Sequence, residues 1–303
     1  AARRAQSLGL DFTEPYFMNR RLEFGVNGFA NRSQRDTLGS FKGGYTYFSF
    51  GGGGGLGFYL NDHLFERVRY SLMREKFQDL KTKSVFYASM GNDVVSQVGH
   101  DLIYDLRDSV VTPTEGGYCV LATNLAGLGG TVSFLNNDLT GGYYWSLDED
   151  KNLIFRIRAR YGFLVRIAKP LRVVDHFLMG GESVRGFDEV GLGPRDSKTG
   201  DAIGGRQSVH TNLKLSHPMG KKGMGLSGYV FNDWGSLWSS SEKDGPYGDQ
   251  IVGDNFYLRT SVGLGLRFQS PFGLIGFSLG FPLRKLKGVD KQLIFRFNMG
   301  TEF

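Results

Sequence analysis

The residues of this 303-residue chain best placed to do chemistry lie in Gly180-Gly181-Glu182-Ser183-Val184-Arg185-Gly186-Phe187 and in Gly191-Leu192-Gly193-Pro194-Arg195-Asp196 shortly after it. A forked cation among glycines describes a loop that folds back onto something and is held there by a charged hydrogen bond. That is docking chemistry, and the catalytic alternatives are weaker. His63, His100, His176, His210 and His217 are scattered without metal-ligand spacing. Asp101, Asp105 and Arg107 could suggest acid–base work, but they alternate with Leu102, Tyr104 and Leu106 and read as the hydrated face of a strand. The run Gly51 to Gly55 lacks the Gly-Lys-Ser/Thr ending and the following helix of a phosphate loop. It reads as glycines facing the interior, where a wall bends or another segment lies close. Cys119, the single cysteine, can form no internal disulfide and reads as a buried or wall residue without chemistry. No enzyme, metal or cofactor is expected.

The elements that must position the loop are strands. Leu8, Leu10 and Phe12 alternate with small or polar residues, and Leu22, Phe24 and Val26 repeat the pattern before Tyr45 to Leu60 extends it. Leu64 to Arg74 and Val98 to Arg107 continue it; Tyr118 to Leu125 and Leu139 to Leu147 are weaker. In Leu153 to Phe163 the arginines Arg156, Arg158 and Arg160 alternate with Phe155, Ile157, Ala159 and Tyr161. Beyond the loop, Gln207 to Ser216 alternates, and Tyr229, Phe231 and Asp233 share a face, with Trp234 and Trp238 near the strand end as interface-anchoring rings often are. Phe256 to Phe268 gives the cleanest alternation, Ser270-Pro271-Phe272-Gly273 turns it into Ile275 to Phe281, and Gln292 to Phe303 reads as one last strand ending on an aromatic.

Alternation alone fits a soluble sandwich as well as a membrane barrel. The number of such segments, roughly a dozen of about ten residues each with scarcely any helical periodicity, favours an all-β transmembrane antiparallel barrel. Mean hydropathy is −0.25 and no apolar run is long enough for a membrane helix. Glycine is 45 of 303 residues against 8 prolines, which argues against collagen and against a disordered linker. The net charge of +6 would allow a nucleic-acid partner, but the arginines alternate along strands and do not cluster, so none is expected. The chain starts at Ala1-Ala2-Arg3-Arg4, without Met or signal peptide, as a mature form or a fragment would.

Ser183-Val184-Arg185-Gly186-Phe187, Gly191-Leu192-Gly193-Pro194, Phe231-Asn232-Asp233-Trp234-Gly235, Gln269-Ser270-Pro271-Phe272-Gly273 and Phe295-Arg296-Phe297-Asn298-Met299-Gly300-Thr301-Glu302-Phe303 together resemble the BamA family of outer-membrane insertases. Tyr104 to Asp108 with the Pro113 to Gly117 turn is also similar. The resemblance implies an integral outer-membrane barrel of about sixteen strands, of which roughly thirteen can be read here. It therefore implies that residues 1–303 are the C-terminal part of the barrel domain, with the first strands and the periplasmic POTRA domains outside this chain.

By the same resemblance, the loop at about 176–204 enters the lumen through Val184, Arg185, Gly186 and Phe187. Arg185 grips an acid on the inner wall, and Asp233 matches it. Lys214 stands where the family often has a second acid. The last strand, with Phe295, Phe297, Asn298, Gly300 and Phe303, is both a wall of the lateral gate and a terminal β-signal, Gly300 being a candidate kink. Implied partners are unfolded outer-membrane protein clients, assembly-machinery lipoproteins, outer-membrane lipids and lipopolysaccharide, and periplasmic chaperones. A TamA-type or two-partner-secretion transporter is the nearer alternative, and a passive porin the more distant one.

Overall fold

The computed structural model describes residues 3–35, 45–80, 83–87, 90–220, 225–270 and 273–300. One antiparallel sheet of thirteen strands dominates it, each strand bonded to the next in sequence. The strands are β1 (Arg3–Glu14), β2 (Leu22–Arg35), β3 (Tyr45–Asn61), β4 (Leu64–Gln78), β5 (Asn92–Asp105), β6 (Gly116–Ala126), β7 (Phe134–Ser146), β8 (Ile154–Arg166), β9 (Gln207–Met219), β10 (Leu226–Trp238), β11 (Arg259–Ser270), β12 (Gly273–Arg284) and β13 (Phe295–Gly300). Among the described residues the sheet is open, with β1 and β13 at its edges.

The sheet's polarity is the reverse of a soluble one. On β11, Leu264, Leu266 and Phe268 are exposed while Ser261 is fully buried; on β10, Val230 and Trp234 are exposed while Phe231 and Asp233 are buried. Leu8, Leu10 and Phe12 on β1 and Phe277, Leu279 and Phe281 on β12 are exposed too, whereas Ser208, His210, Asn212 and Lys214 on β9 are buried. An apolar outer band and a polar inner face are what strands need when lipid, not water, surrounds them. No helix among the described residues is long and apolar enough to cross a membrane, which says nothing against crossing by strands.

The glycine run is explained by its neighbours. A Cβ on Gly51, Gly53 or Gly55 would come within 2.4, 2.5 and 2.8 Å of the carbonyls of Leu72, Tyr70 and Val68 on β4, and one on Gly52 within 2.7 Å of the Asn27 carbonyl on β2. Both faces are crowded, not the interior alone, because adjacent backbones close in on both sides of β3.

The three longest connections, 79–91, 167–206 and 239–258, lie at one end of the sheet together with 127–133 and 285–294, whereas those at the other end run from two to ten residues. Segment 167–206 carries the glycine-arginine loop and is somewhat longer than the expected 176–204. It builds a cap: Val173, Val190, Ala202 and Ile203 pack with Phe77, Phe86, Tyr87 and Met90, and Arg195–Asp196 pairs with Ile251–Val252 of the 239–258 connection.

Two expected strand limits are corrected. β11 begins at Arg259 rather than Phe256, whose ring instead packs edge-on against Trp238 at 5.0 Å. The last strand is not continuous from Gln292: Gln292–Leu293 pairs with Gly186–Phe187 of the loop, and only Phe295–Gly300 joins the wall. Gly300, a candidate kink, pairs in register with Leu274, and the break falls at Ile294. Phe303 lies outside the described residues.

The outward face predicts a depth-dependent penalty for charge. Leu264→Arg, in mid-strand, is expected to cost about 2–4 kcal/mol, measured as a shift of the guanidine unfolding midpoint in phospholipid vesicles, whereas a charge at the turn-end residue Asn61 should cost far less.

Candidate functional site

Val184, Gly186 and Phe187 are buried against the inner wall, and Val184 and Phe187 form a cluster with Met179, Leu192 and Leu237. That apolar patch seats the loop tip. Gly186 adopts φ +90°, and a Cβ there would meet the Gly280 backbone of β12 at 3.0 Å; a Cβ on Gly280 would in turn reach the Gly186 nitrogen at 2.5 Å. Loop and wall backbones therefore cross where neither chain carries a side chain.

This crossing presents Arg185 to β10. Its Nε donates to Asp233 Oδ2 and its Nη2 to Oδ1, both at 2.7 Å, and its backbone N–H donates to Oδ2 at 3.0 Å. Asp233 is fully buried and the Arg185 side chain 12% exposed. The guanidinium also lies 3.6 Å from the centroid of Phe231 and 5.7 Å from that of Tyr229. Two parallel bonds plus a ring face suit arginine, not lysine.

The residue across from Asp233 on β9 is Asn212, not Lys214. Asn212 Nδ2 donates to Asp233 Oδ1 and to the Ser183 carbonyl, both at 2.9 Å. An amide thus takes the place beside the acid. Lys214 lies one inward position further along, across from Phe231 and 5.7 Å from the Tyr229 ring.

Sequence reasoning assigned no partners to the other cations that hold the cap, Arg195 of the opening motif included. Arg172, at the start of the loop, bridges Asp175 (2.6 Å), Asp93 (2.8 Å) and Glu75 (3.0 Å), joining the ends of β4 and β5. Burial pulls its pKa down, and hydrogen bonds and charge from Asp175, Asp93 and Glu75 outweigh that, leaving it above the ordinary arginine value. Arg195 is buried and donates to the carbonyls of Gly200 and Val190. Arg259 and Asp290, both fully buried, form two bonds of 3.0 and 3.1 Å. No local pattern marks Asp290 as a partner 31 residues from Arg259.

The terminal strand meets the same loop. Arg296, on the inner side of β13, pairs with Glu189 at 2.7 Å and donates to the Phe187 carbonyl at 3.4 Å. Asn298 pairs across from Gly276, and Phe295 and Phe297 are exposed on the outer side, their rings 6.4 and 5.2 Å from Phe277. Among the expected site residues the structure thus gathers Val184, Arg185, Gly186, Phe187 and Asp233 in one place and connects them to the strand of Phe295, Phe297 and Asn298. At the short-turn end, Arg107 and Asp105 pair with each other (2.6 Å) and Arg107 lies over the Tyr118 ring at 4.5 Å, a local brace of the turn.

The Omp85 superfamily domain matches residues 1–303. The chain belongs to the Omp85 superfamily. Its similar relatives include the outer membrane protein assembly factor BamA of Neorickettsia risticii (28% identical, covering 98% of this chain and 40% of the relative). BamA of Nitratidesulfovibrio vulgaris is 30% identical over 69% of this chain and 26% of its own length, and the human sorting and assembly machinery component 50 homolog is 32% identical over 52% and 34%. This Omp85 chain spans well under half the length of each. The same fold occurs in BamA from Haemophilus ducreyi lacking POTRA domains 1–3 (TM-score 0.85, 20% identity, 97% of this chain and 61% of that one) and in CdiB from Acinetobacter baumannii (0.59, 16%, 97% and 50%). The inverted polarity of the sheet is accordingly that of an integral outer-membrane β-barrel, its exposed apolar face turned to lipid.

Two outcomes follow from the site. Arg185→Ala strands a buried carboxylate and should lower stability by about 3–5 kcal/mol; adding Asp233→Leu should recover a large part of that loss, read from guanidine unfolding of both variants. His176, in the cap, donates from Nδ1 to the Ile203 carbonyl (3.0 Å), and its Nε2 lies 2.7 Å from Ser241 Oγ, a hydroxyl that can bond either protonation state of the ring. Burial lowers its pKa from 6.5, against the raising effect of that carbonyl and Asp175. The unfolded cap therefore binds the proton more readily, so the stability this ring contributes is present above pH 6.5 and is lost as pH falls below it. Protection of the amides in 173–206, taken relative to the intrinsic exchange rate at each pH, should fall between pH 7 and 5, and His176→Gln should flatten that dependence.

Proposed function

We propose that this chain is the membrane-embedded part of a factor that folds β-barrel proteins and inserts them into the outer membrane. The observation that supports it most directly is the short terminal seam. Among the described residues β13 joins β12 over six residue pairs, whereas β11 and β12 share eleven, and the outer edge of β13 has no partner. A strand so weakly held can exchange its backbone bonds for those of an incoming strand, and backbone pairing then supplies affinity while alternate side chains set register. Phe295, Phe297, Asn298 and Gly300, with Phe303 beyond them, would form that exchangeable edge, and Arg185 on Asp233 would hold the loop that backs it.

In this reading the clients are unfolded outer-membrane proteins that present their own terminal strands. Periplasmic chaperones deliver them, lipoproteins of the assembly machinery act alongside, and lipids and lipopolysaccharide form the surrounding membrane. The names of the BamA and sorting-and-assembly relatives agree with an assembly role. Polypeptide export by a two-partner-secretion type of transporter is the second reading; the likeness of fold is weaker to CdiB (TM-score 0.59) than to BamA (0.85).

Complementation separates these. A strain relying on the full-length protein with Arg185→Ala is expected to lose porin from its outer membrane and to grow poorly, while Arg185→Lys should be intermediate. Normal porin levels with Arg185→Ala, measured by immunoblot of outer membranes, would count against the assembly role.

A further inference from the structure

The division of the terminal segment between wall and loop has an identifiable cause on the neighbouring strand. Along β12 and β13 the bonded rungs fall on even-numbered residues of β12: Gly280 N–H donates to the Ile294 carbonyl at 2.8 Å, in register with Leu279 across from Phe295 and Phe277 across from Phe297. The next rung would need an N–H at residue 282 to donate to the carbonyl of Gln292. Residue 282 is proline, which has no N–H to give.

The wall pairing stops there, and the freed residues pair elsewhere. Gln292 and Leu293 lie across from Phe187 and Gly186. Asp188 N–H donates to the Lys291 carbonyl at 3.0 Å, and Lys291 N–H to that of Gly191 at 2.9 Å. Side chains reinforce the alternative on the same two segments through the Arg296–Glu189 ion pair at 2.7 Å. The Gly186–Gly280 crossing sits immediately before the proline, so the loop reaches the wall at the last rung that β12 can supply.

A proline on an edge strand is commonly a guard against aggregation. Here its missing donor faces the partner strand and coincides with the end of pairing. We propose that Pro282 is a stop in the terminal seam that reserves Gln292 and Leu293 for the loop; with an N–H at residue 282, loop docking and a longer terminal strand would compete for the same two residues. Whatever undocks Arg185 from Asp233 then releases a segment that can join the seam only imperfectly, and the seam stays short in both states. The consequence for client entry rests on the assembly role proposed above; the pairing itself does not.

Cysteine crosslinking of the full-length protein in lipid nanodiscs tests it. Phe281 and Leu293 are both exposed, and the extended register would make them a non-hydrogen-bonded pair, the geometry in which cross-strand side chains approach most closely. In a Cys119→Ser background, Phe281→Cys with Leu293→Cys should crosslink poorly while Pro282 is present. Pro282→Ala or Pro282→Thr, each restoring the donor, should raise the yield several-fold and quicken amide exchange at Gly186. The unheated gel shift identifies whichever of the two is folded, and one folded variant is enough. A yield independent of residue 282, whether high or low, overturns the proposal. Such a result would leave the assembly role standing, whereas a failure of the porin test would leave the pairing standing.

Discussion

The bond between Arg185 and Asp233 is the constraint from which the rest of the luminal architecture follows. A carboxylate with no exposed surface on the inner wall costs several kcal/mol in lost hydration unless that hydration is replaced in full. Three donors of Arg185 and one of Asn212 replace it, and the ring of Phe231 covers the guanidinium face. Bonds to both carboxylate oxygens fix the orientation of Arg185 as well as its distance. Gly186 must then lie on Gly280, Phe187 must fill the pocket beside Val184 and Leu237, and the following residues are delivered to the terminal segment.

That arrangement is possible because the sheet is inverted. Exposed leucines and phenylalanines on the outer face leave the inner face to serine, asparagine, arginine and aspartate, so a loop entering the lumen meets hydrogen-bonding partners and not a greasy core. The cap is held by the same chemistry. Arg172 spans three acids, Arg195 satisfies backbone carbonyls, and Arg259 closes on Asp290, so each stage of the long connections is anchored by a forked cation. Backbone groups in irregular segments have no ladder to satisfy them, and guanidinium donors with carboxylate acceptors supply what a ladder would.

Strand positions and faces were legible because a period of two is written into each segment separately, as in Arg259 to Phe268, and the sheet of thirteen strands among the described residues agrees with the roughly thirteen that could be read. Arg185 and Asp233 were legible through motif resemblance. The neighbour of Asp233 was not: whether Asn212 or Lys214 lies beside it depends on the register of β9 against β10, which a count along either strand does not contain. The Arg259–Asp290 pair was hidden for a related reason, since Asp290 lies in an irregular turn with no face to assign. The break at Ile294 was invisible in Gln292 to Phe303 because its cause, Pro282, sits on the partner strand.

This last case separates what side-chain patterning can decide from what the backbone decides. Every residue of the terminal segment offers the same N–H and C=O to any strand, so the choice between wall and loop is not made by the identity of Gln292 or Leu293. It is made by their prospective partners. β12 withholds a donor at Pro282, and the loop offers a complete edge at Gly186–Phe187, brought within reach because Gly280 and Gly186 have no Cβ to keep the chains apart. The two residue types at the extremes of backbone freedom thus set where the seam ends. The arginine clamp 48 residues from its acid sets whether the alternative partner is present at all.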